Sequence, residues 1–138
     1  MVKMNDEETK KMLFFQQATG AATRDCIDDE ERLIFVVAEG EVGAAVGKGG
    51  RNIDMLEKLL KRKILVVEYN DDVEKFTENI FFPTKITVSK SGNKVIINVD
   101  QKNRKYIVGK GGYKIRLARK LLKRHFDIDE IKINELRN

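Results

Sequence analysis

Two five-residue stretches of this chain are identical: Val46-Gly47-Lys48-Gly49-Gly50 and Val108-Gly109-Lys110-Gly111-Gly112. A Gly-x-x-Gly loop lets the main chain approach another molecule without Cβ atoms in the way. When a helix follows, its first N–H groups and positive dipole end face the same space. Lys48 and Lys110 add a full charge at each loop tip. The chemistry on offer is the holding of an anion, and a sugar-phosphate chain running past the loop fits it. A tight helix–helix turn would explain one such loop; two in the same frame point to binding.

Other phosphate sites fail on spelling. A P-loop needs Gly-x-x-x-x-Gly-Lys-Ser/Thr, whereas here Gly49 and Gly111 follow the lysines and the upstream glycine is missing. A dinucleotide fingerprint needs a third glycine where Asn52 and Lys114 stand. Nucleotide hydrolysis and hydride transfer therefore drop out. Catalysis in general finds little support, with no HExxH, no carboxylate cluster beside a base and a single histidine, His125. We expect no enzyme activity, no cofactor and no metal. Cys26 cannot form an internal disulfide and reads as a small packed residue, and Asp28-Asp29-Glu30-Glu31 reads as a turn without calcium-loop spacing. Phe14-Phe15 and Phe81-Phe82 are expected to pack in cores or between copies, with one of each pair free to meet a protein partner.

The elements that position the loops repeat with them. A shift of 62 positions gives 11 identities over the 17 residues from Val46 to Arg62, including Ile53 on Ile115 and Leu59-Leu60-Lys61-Arg62 on Leu121-Leu122-Lys123-Arg124. Two copies are too few for a solenoid. Each copy reads as helix, strand, strand, helix, helix, strand. In the first, the helix covers 6–18, strands 23–27 and 33–38, helices 41–46 and 50–61, and the closing strand 64–69. In the second, a helix from 71 to 80 ends before Pro83, strands 84–89 and 94–99 flank a Ser-Gly-Asn turn, helices cover 102–108 and 112–124, and the closing strand is 130–133. The fold class is therefore α+β, as two domains, 1–70 and 71–138, each a three-stranded sheet packed by helices. No Gly/Ser/Pro spacer separates them, so rigid docking is expected.

With 138 residues, 41% hydrophobic and 36% charged, the chain has material for a core and is no disordered tail. No apolar run approaches the length that spans a bilayer, and the start lacks the apolar stretch of a secretion signal. A soluble cytoplasmic protein with no membrane partner is expected. The net charge of +5 is unevenly placed: residues 1–70 hold 11 basic and 13 acidic side chains, residues 71–138 hold 16 and 9. Within the second copy, Gln101 to His125 carries ten basic residues and no acid. Solvated helix faces usually mix both signs, so a one-sign run around a glycine loop reads as the footprint of a polyanion. The second copy should contribute more affinity than the first, where Lys48 and Arg51 lie near Asp54 and Glu57.

These residues resemble the KH family of RNA-binding domains. Its signature, an aliphatic residue followed by Gly-x-x-Gly-x-x-Ile, matches Val46 to Ile53 and Val108 to Ile115. The element order is similar to the type II variant, and a closely abutted type II pair is most similar to that of the NusA family of transcription factors in its short archaeal form. The resemblance runs from about Asp6 to Leu136. Bacterial members also carry a polymerase-binding N-terminal region and an S1 domain, which this sequence does not show. KH loops clamp about four backbone nucleotides beside an apolar groove for the bases. The resemblance then implies that Gly47, Lys48, Gly49 and Gly50 hold RNA backbone, as do Gly109, Lys110, Gly111 and Gly112. It implies further contacts from Arg51, Tyr113 and Lys114. Ile53 and Ile115, with Ala44, Ala45, Val46, Tyr106, Ile107 and Val108, would floor the grooves unless they belong to the core. The implied function is non-catalytic: gripping nascent single-stranded RNA in transcription elongation, termination or antitermination. The implied partners are RNA, RNA polymerase or other transcription factors, and the protein would act as a monomer. A ribosome-associated or ribosome-assembly KH protein is the alternative.

Overall fold

In the computed structural model, which describes residues 4–137, the first helix, α1 (Asp6–Thr19), is closed at both ends by local chemistry. Asn5 Oδ1 accepts from the Glu8 N–H at 2.8 Å, and Glu8 Oε1 accepts from the Asn5 N–H at 3.2 Å. Such a capping box stabilises a helix by about 1 kcal/mol. At the other end Gly20, at φ 75°, donates to the Gln16 carbonyl. Glu8 has a second task, because Oε2 accepts from the Asp28 N–H at 3.1 Å and ties the start of α1 to a strand end.

That strand, β1 (Thr23–Asp28), pairs antiparallel with β2 (Arg32–Val37). Asp29 makes their turn, its Oδ1 accepting from the N–H groups of Glu31 and Arg32. Helices α2 (Val42–Val46) and α3 (Arg51–Leu60) follow, and β3 (Lys63–Glu68) returns parallel to β2. The sheet order is β1-β2-β3. Phe15, stacked on Phe35 with centroids 4.0 Å apart, sits in a core with Cys26, Leu33, Val37, Ala45 and Leu56. Every residue from Leu33 to Val37 is fully buried, as an unbroken apolar run implies. Asp28 closes the unit from the side, taking Lys11 on Oδ2 and Arg62 on Oδ1 at 2.8 Å. Burial alone would push its carboxyl up; the hydrogen bonds from Lys11 and Arg62 outweigh that and hold it below the usual range. Lys11 is raised in turn, chiefly by its hydrogen bond to Asp28.

The chain divides into two compact units at the Asn70/Asp71 boundary. The second repeats the element order. Asp72 caps α4 (Val73–Phe81), and β4 (Thr87–Ser91), β5 (Lys94–Asp100), α5 (Arg104–Val108), α6 (Tyr113–Phe126) and β6 (Glu130–Leu136) follow. Its sheet order is β4-β5-β6, antiparallel then parallel. Most boundaries shift by one to three residues from the sequence expectation, and three of the shifts have a visible cause. The strand expected from Thr84 begins at Thr87, because the Thr84 N–H donates back to the Phe81 carbonyl and extends the helix end as a turn. Helix α6 runs past Arg124 to Phe126, where His125 and Phe126 lie against Phe76 of α4, with ring centroids at 5.7 and 5.5 Å. Strand β6 continues past Ile133 because its polar end stays in register with β5; Asn134 Nδ2 donates to Asn98 Oδ1 at 2.7 Å. The phenylalanine pairs split: Phe15 and Phe81 are buried, while Phe14 and Phe82 are exposed.

Candidate nucleic-acid interface

Each glycine loop sits between the two short-spaced helices of its unit, as a single 3-10 turn: Lys48–Gly50 before α3 and Lys110–Gly112 before α6. Main-chain bonds close both. The Gly47 N–H donates to Gly43 and the Gly50 N–H to Gly47; in the second loop Gly109 donates to Lys105 and Gly112 to Gly109.

The glycines of a loop are not equivalent. Gly47 (φ 78°, ψ 163°) and Gly109 (φ 79°, ψ 170°) occupy backbone space that essentially only glycine enters. A Cβ on Gly47 would lie 2.7 Å from Asn52 Cγ, and one on Gly109 would lie 2.7 Å from Lys114 Cβ and 2.8 Å from its nitrogen. The first glycine is thus required by the loop folding onto its own helix. Gly49 and Gly111 face open space, with nothing within 4 Å of a Cβ placed there. Their main chain, flanked by the exposed Lys48 and Lys110, is the part a ligand can reach. Gly50 and Gly112 then start the helices, and no side chain caps either one.

The loops differ in what surrounds them. In the first, Asn52 Nδ2 donates to the Ala44 carbonyl at 2.9 Å and braces α2 against α3. In the second, Arg116 donates to the Gly111 carbonyl. Asp54 and Arg116 are equivalent in the repeat, so the fourth residue of α3 is an acid where that of α6 is a cation. Asp54 Oδ2 lies 4.0 Å from a Cβ on Gly50, and Arg116 Nη1 lies 3.0 Å from one on Gly112. The roles of Asn52 and Arg116 in the loops are missing from the sequence expectation. The differences between the two copies, compared position by position, carry that signal.

The remaining site residues divide by exposure. Arg51 is exposed and Lys114 half-buried beside the loops. Ala45 and Ile107 are fully buried, Ile115 and Tyr113 are 7% and 8% exposed, and Ile53 packs on the first core. Those five therefore support the loops from beneath, and little of Tyr113 or Ile115 is left for a ligand. Val46 and Val108 are half-buried, and Ala44 is exposed. Tyr106 is 56% exposed on α5, with Lys105 Nζ 5.1 Å from its ring centroid. Among the described residues no group of His, Cys, Asp or Glu is placed to hold a metal ion, and no helix is long and apolar enough to cross a membrane.

Residues 8–81 match the model of the KH domain. The chain belongs to the KH domain family. Within that family it is a short NusA-like protein of the archaeal kind. It is 38% identical to the probable transcription termination protein NusA of Methanocaldococcus jannaschii over 96% of this chain and 75% of that one. It is 35% identical to the Halobacterium salinarum protein of the same description, over 96% of this chain and 98% of that one. The crystal structure of APE1850 superposes with a TM-score of 0.81 at 36% identity, covering 95% of this chain and all of the other. The KH match takes in the whole first glycine loop and reaches α4; the second loop lies beyond it, in the repeated copy.

Proposed function

We propose that the chain is a tandem pair of type II KH domains, 1–70 and 71–138, that grips nascent single-stranded RNA through both Gly-Lys-Gly-Gly loops and so regulates transcription elongation, termination or antitermination. It acts without catalysing a reaction, as a monomer. The observation that carries this reading is the shared geometry of the loops. In both, a first glycine locked by packing presents a second glycine to open space beside a lysine and an uncapped helix start. The names of the archaeal relatives support the transcriptional role. Single-stranded RNA fits because the open main chain takes phosphates while the flanking apolar surface takes unstacked bases.

The test uses Lys48→Asp/Gly49→Asp, Lys110→Asp/Gly111→Asp and all four changes together, each checked for folding by circular dichroism. Aspartate tolerates the left-handed backbone at these glycines better than most residues. Binding to a mixed-sequence RNA of about twelve nucleotides should weaken in each pair and collapse in the quadruple variant. The second-loop pair should lose more. A folded quadruple variant that binds like the native chain would refute the reading. Recovery of the native protein with RNA polymerase supports the transcriptional role, and recovery with ribosomal subunits alone contradicts it.

A further inference from the structure

On α6, Arg116, Arg119, Lys120 and Lys123 are all exposed. Their spacing of i, i+3, i+4 and i+7 places them on one face of the helix. The stripe starts at the second loop, where Arg116 donates to the Gly111 carbonyl. It ends where Lys123 is held by Asp129. From 116 to 123 the helix rises about 10 Å. The equivalent positions, Asp54, Glu57 and Lys58 on α3 and Lys61 at its left-handed C-cap, carry no net charge, and the acids are nearest the loop. The apolar faces differ as well, since Leu117 and Leu121 are buried while the equivalent Met55 and Leu59 are exposed; Asp54 and Lys58, like the four cations of α6, face solvent, so core packing does not dictate the sign of their charges.

We infer that the outer face of α6 is a phosphate track. RNA leaving the second glycine loop continues along Arg119 and Lys120 as far as the Lys123–Asp129 pair, whereas the first loop has no such continuation. This inference rests on the RNA-binding reading of the loops. A stacked strand carries one phosphate per about 3.4 Å, so about three phosphates span the stripe. Four cations of one sign on adjacent turns repel one another and weaken the helix slightly. In the sequence no acid interrupts the stretch from Gln101 to Phe126, and Asp127, Asp129 and Glu130 follow the helix.

Arg119→Gln/Lys120→Gln tests the track, measured beside the native chain and the Lys110→Asp/Gly111→Asp variant. The probes are mixed-sequence RNAs of about four and about twelve nucleotides, the shorter matching what a KH loop clamps. The expected result is unchanged affinity for the short RNA, with weaker binding of the long one. Its slope of log K against log salt should fall by about 1.4, two phosphates at about 0.7 each. Between about 50 and 200 mM salt that is a change of about sevenfold in relative affinity. If the double variant binds the long RNA like the native chain while the loop variant does not, the track is refuted and the loop reading stands. If the loop variant also binds normally, the loop reading has failed first. Equal loss on short and long RNA would place the two residues at the loop instead and overturn the track. Stronger binding of a hairpin duplex than of the single strand, lost in the same variant, would overturn the single-strand assignment.

Discussion

Replacing Gly109 and Gly111 by alanine separates the packing glycine from the presenting glycine. At Gly109 the new Cβ would meet the Lys114 nitrogen at 2.8 Å and its Cβ at 2.7 Å, closer than real atoms approach. Backbone is the obstacle there, so α6 would have to move. The unfavourable backbone region costs about 1–3 kcal/mol, and forced overpacking about 1–3 kcal/mol more. Stiffening of the unfolded chain returns about 0.4–1 kcal/mol. A net loss of about 3 kcal/mol is expected. At Gly111, with φ 62° and open space around it, only the left-handed conformation is charged, about 1–2 kcal/mol. After the same unfolded-state return, the net loss is about 1 kcal/mol. Urea unfolding reads the difference directly, since neither change alters the surface exposed and the m-value should stay constant. Binding should follow a different order. In protein that remains folded, Gly111→Ala should weaken RNA binding by obstructing the open approach. Equal destabilisation by the two substitutions would refute the division of labour assigned to the glycines.

Three further outcomes are expected. Asp28→Asn removes the negative charge and one of the two oxygens that hold Lys11 and Arg62; their side chains are 29% and 27% exposed, between the exposed and buried limits, so about 2 kcal/mol is lost at pH 7. Because the folded Asp28 pKa is depressed, its contribution is present above the ordinary carboxylate value and lost as pH falls through the folded one; urea unfolding of the native chain and the variant should therefore draw together as pH falls below the ordinary carboxylate range. Cys26, whose thiol burial pushes up to about 12, should resist a thiol reagent at pH 8 until the chain unfolds, so labelling at the rate of a free thiol under native conditions would contradict its placement. Tyr106→Ala should weaken RNA binding by about tenfold if a base stacks on its exposed face, while Tyr106→Phe should not; stacking is worth about 1–3 kcal/mol per base.

Much of this fold was legible because local signals agree. The unbroken apolar run of β2, the Asp72 cap and the doubled Gly-Lys-Gly-Gly each name their element without tertiary information. Element ends were less legible where a distant partner decides them. Leu-Leu-Lys-Arg closes α3 but stays helical in α6, because Lys61 turns left-handed ahead of a strand-forming Ile-Leu-Val-Val run, whereas Phe126 reaches back to Phe76. The polar end of β6 has no hydrophobic alternation, so only its register with β5 reveals it as strand. At the interface, the loops and their lysines were readable as types and spacing. That the first glycine packs while the second lies open was not, since the distinction depends on the distance from Gly109 to Lys114 across the turn.

Ultraviolet cross-linking of single-stranded RNA to the native protein, with the attached peptides mapped by mass spectrometry, tests the central claim most directly. The account predicts cross-links in both glycine loops and at the starts of α3 and α6, with the second loop labelled more strongly. Cross-links confined to other surfaces, with both loops unlabelled, would contradict it.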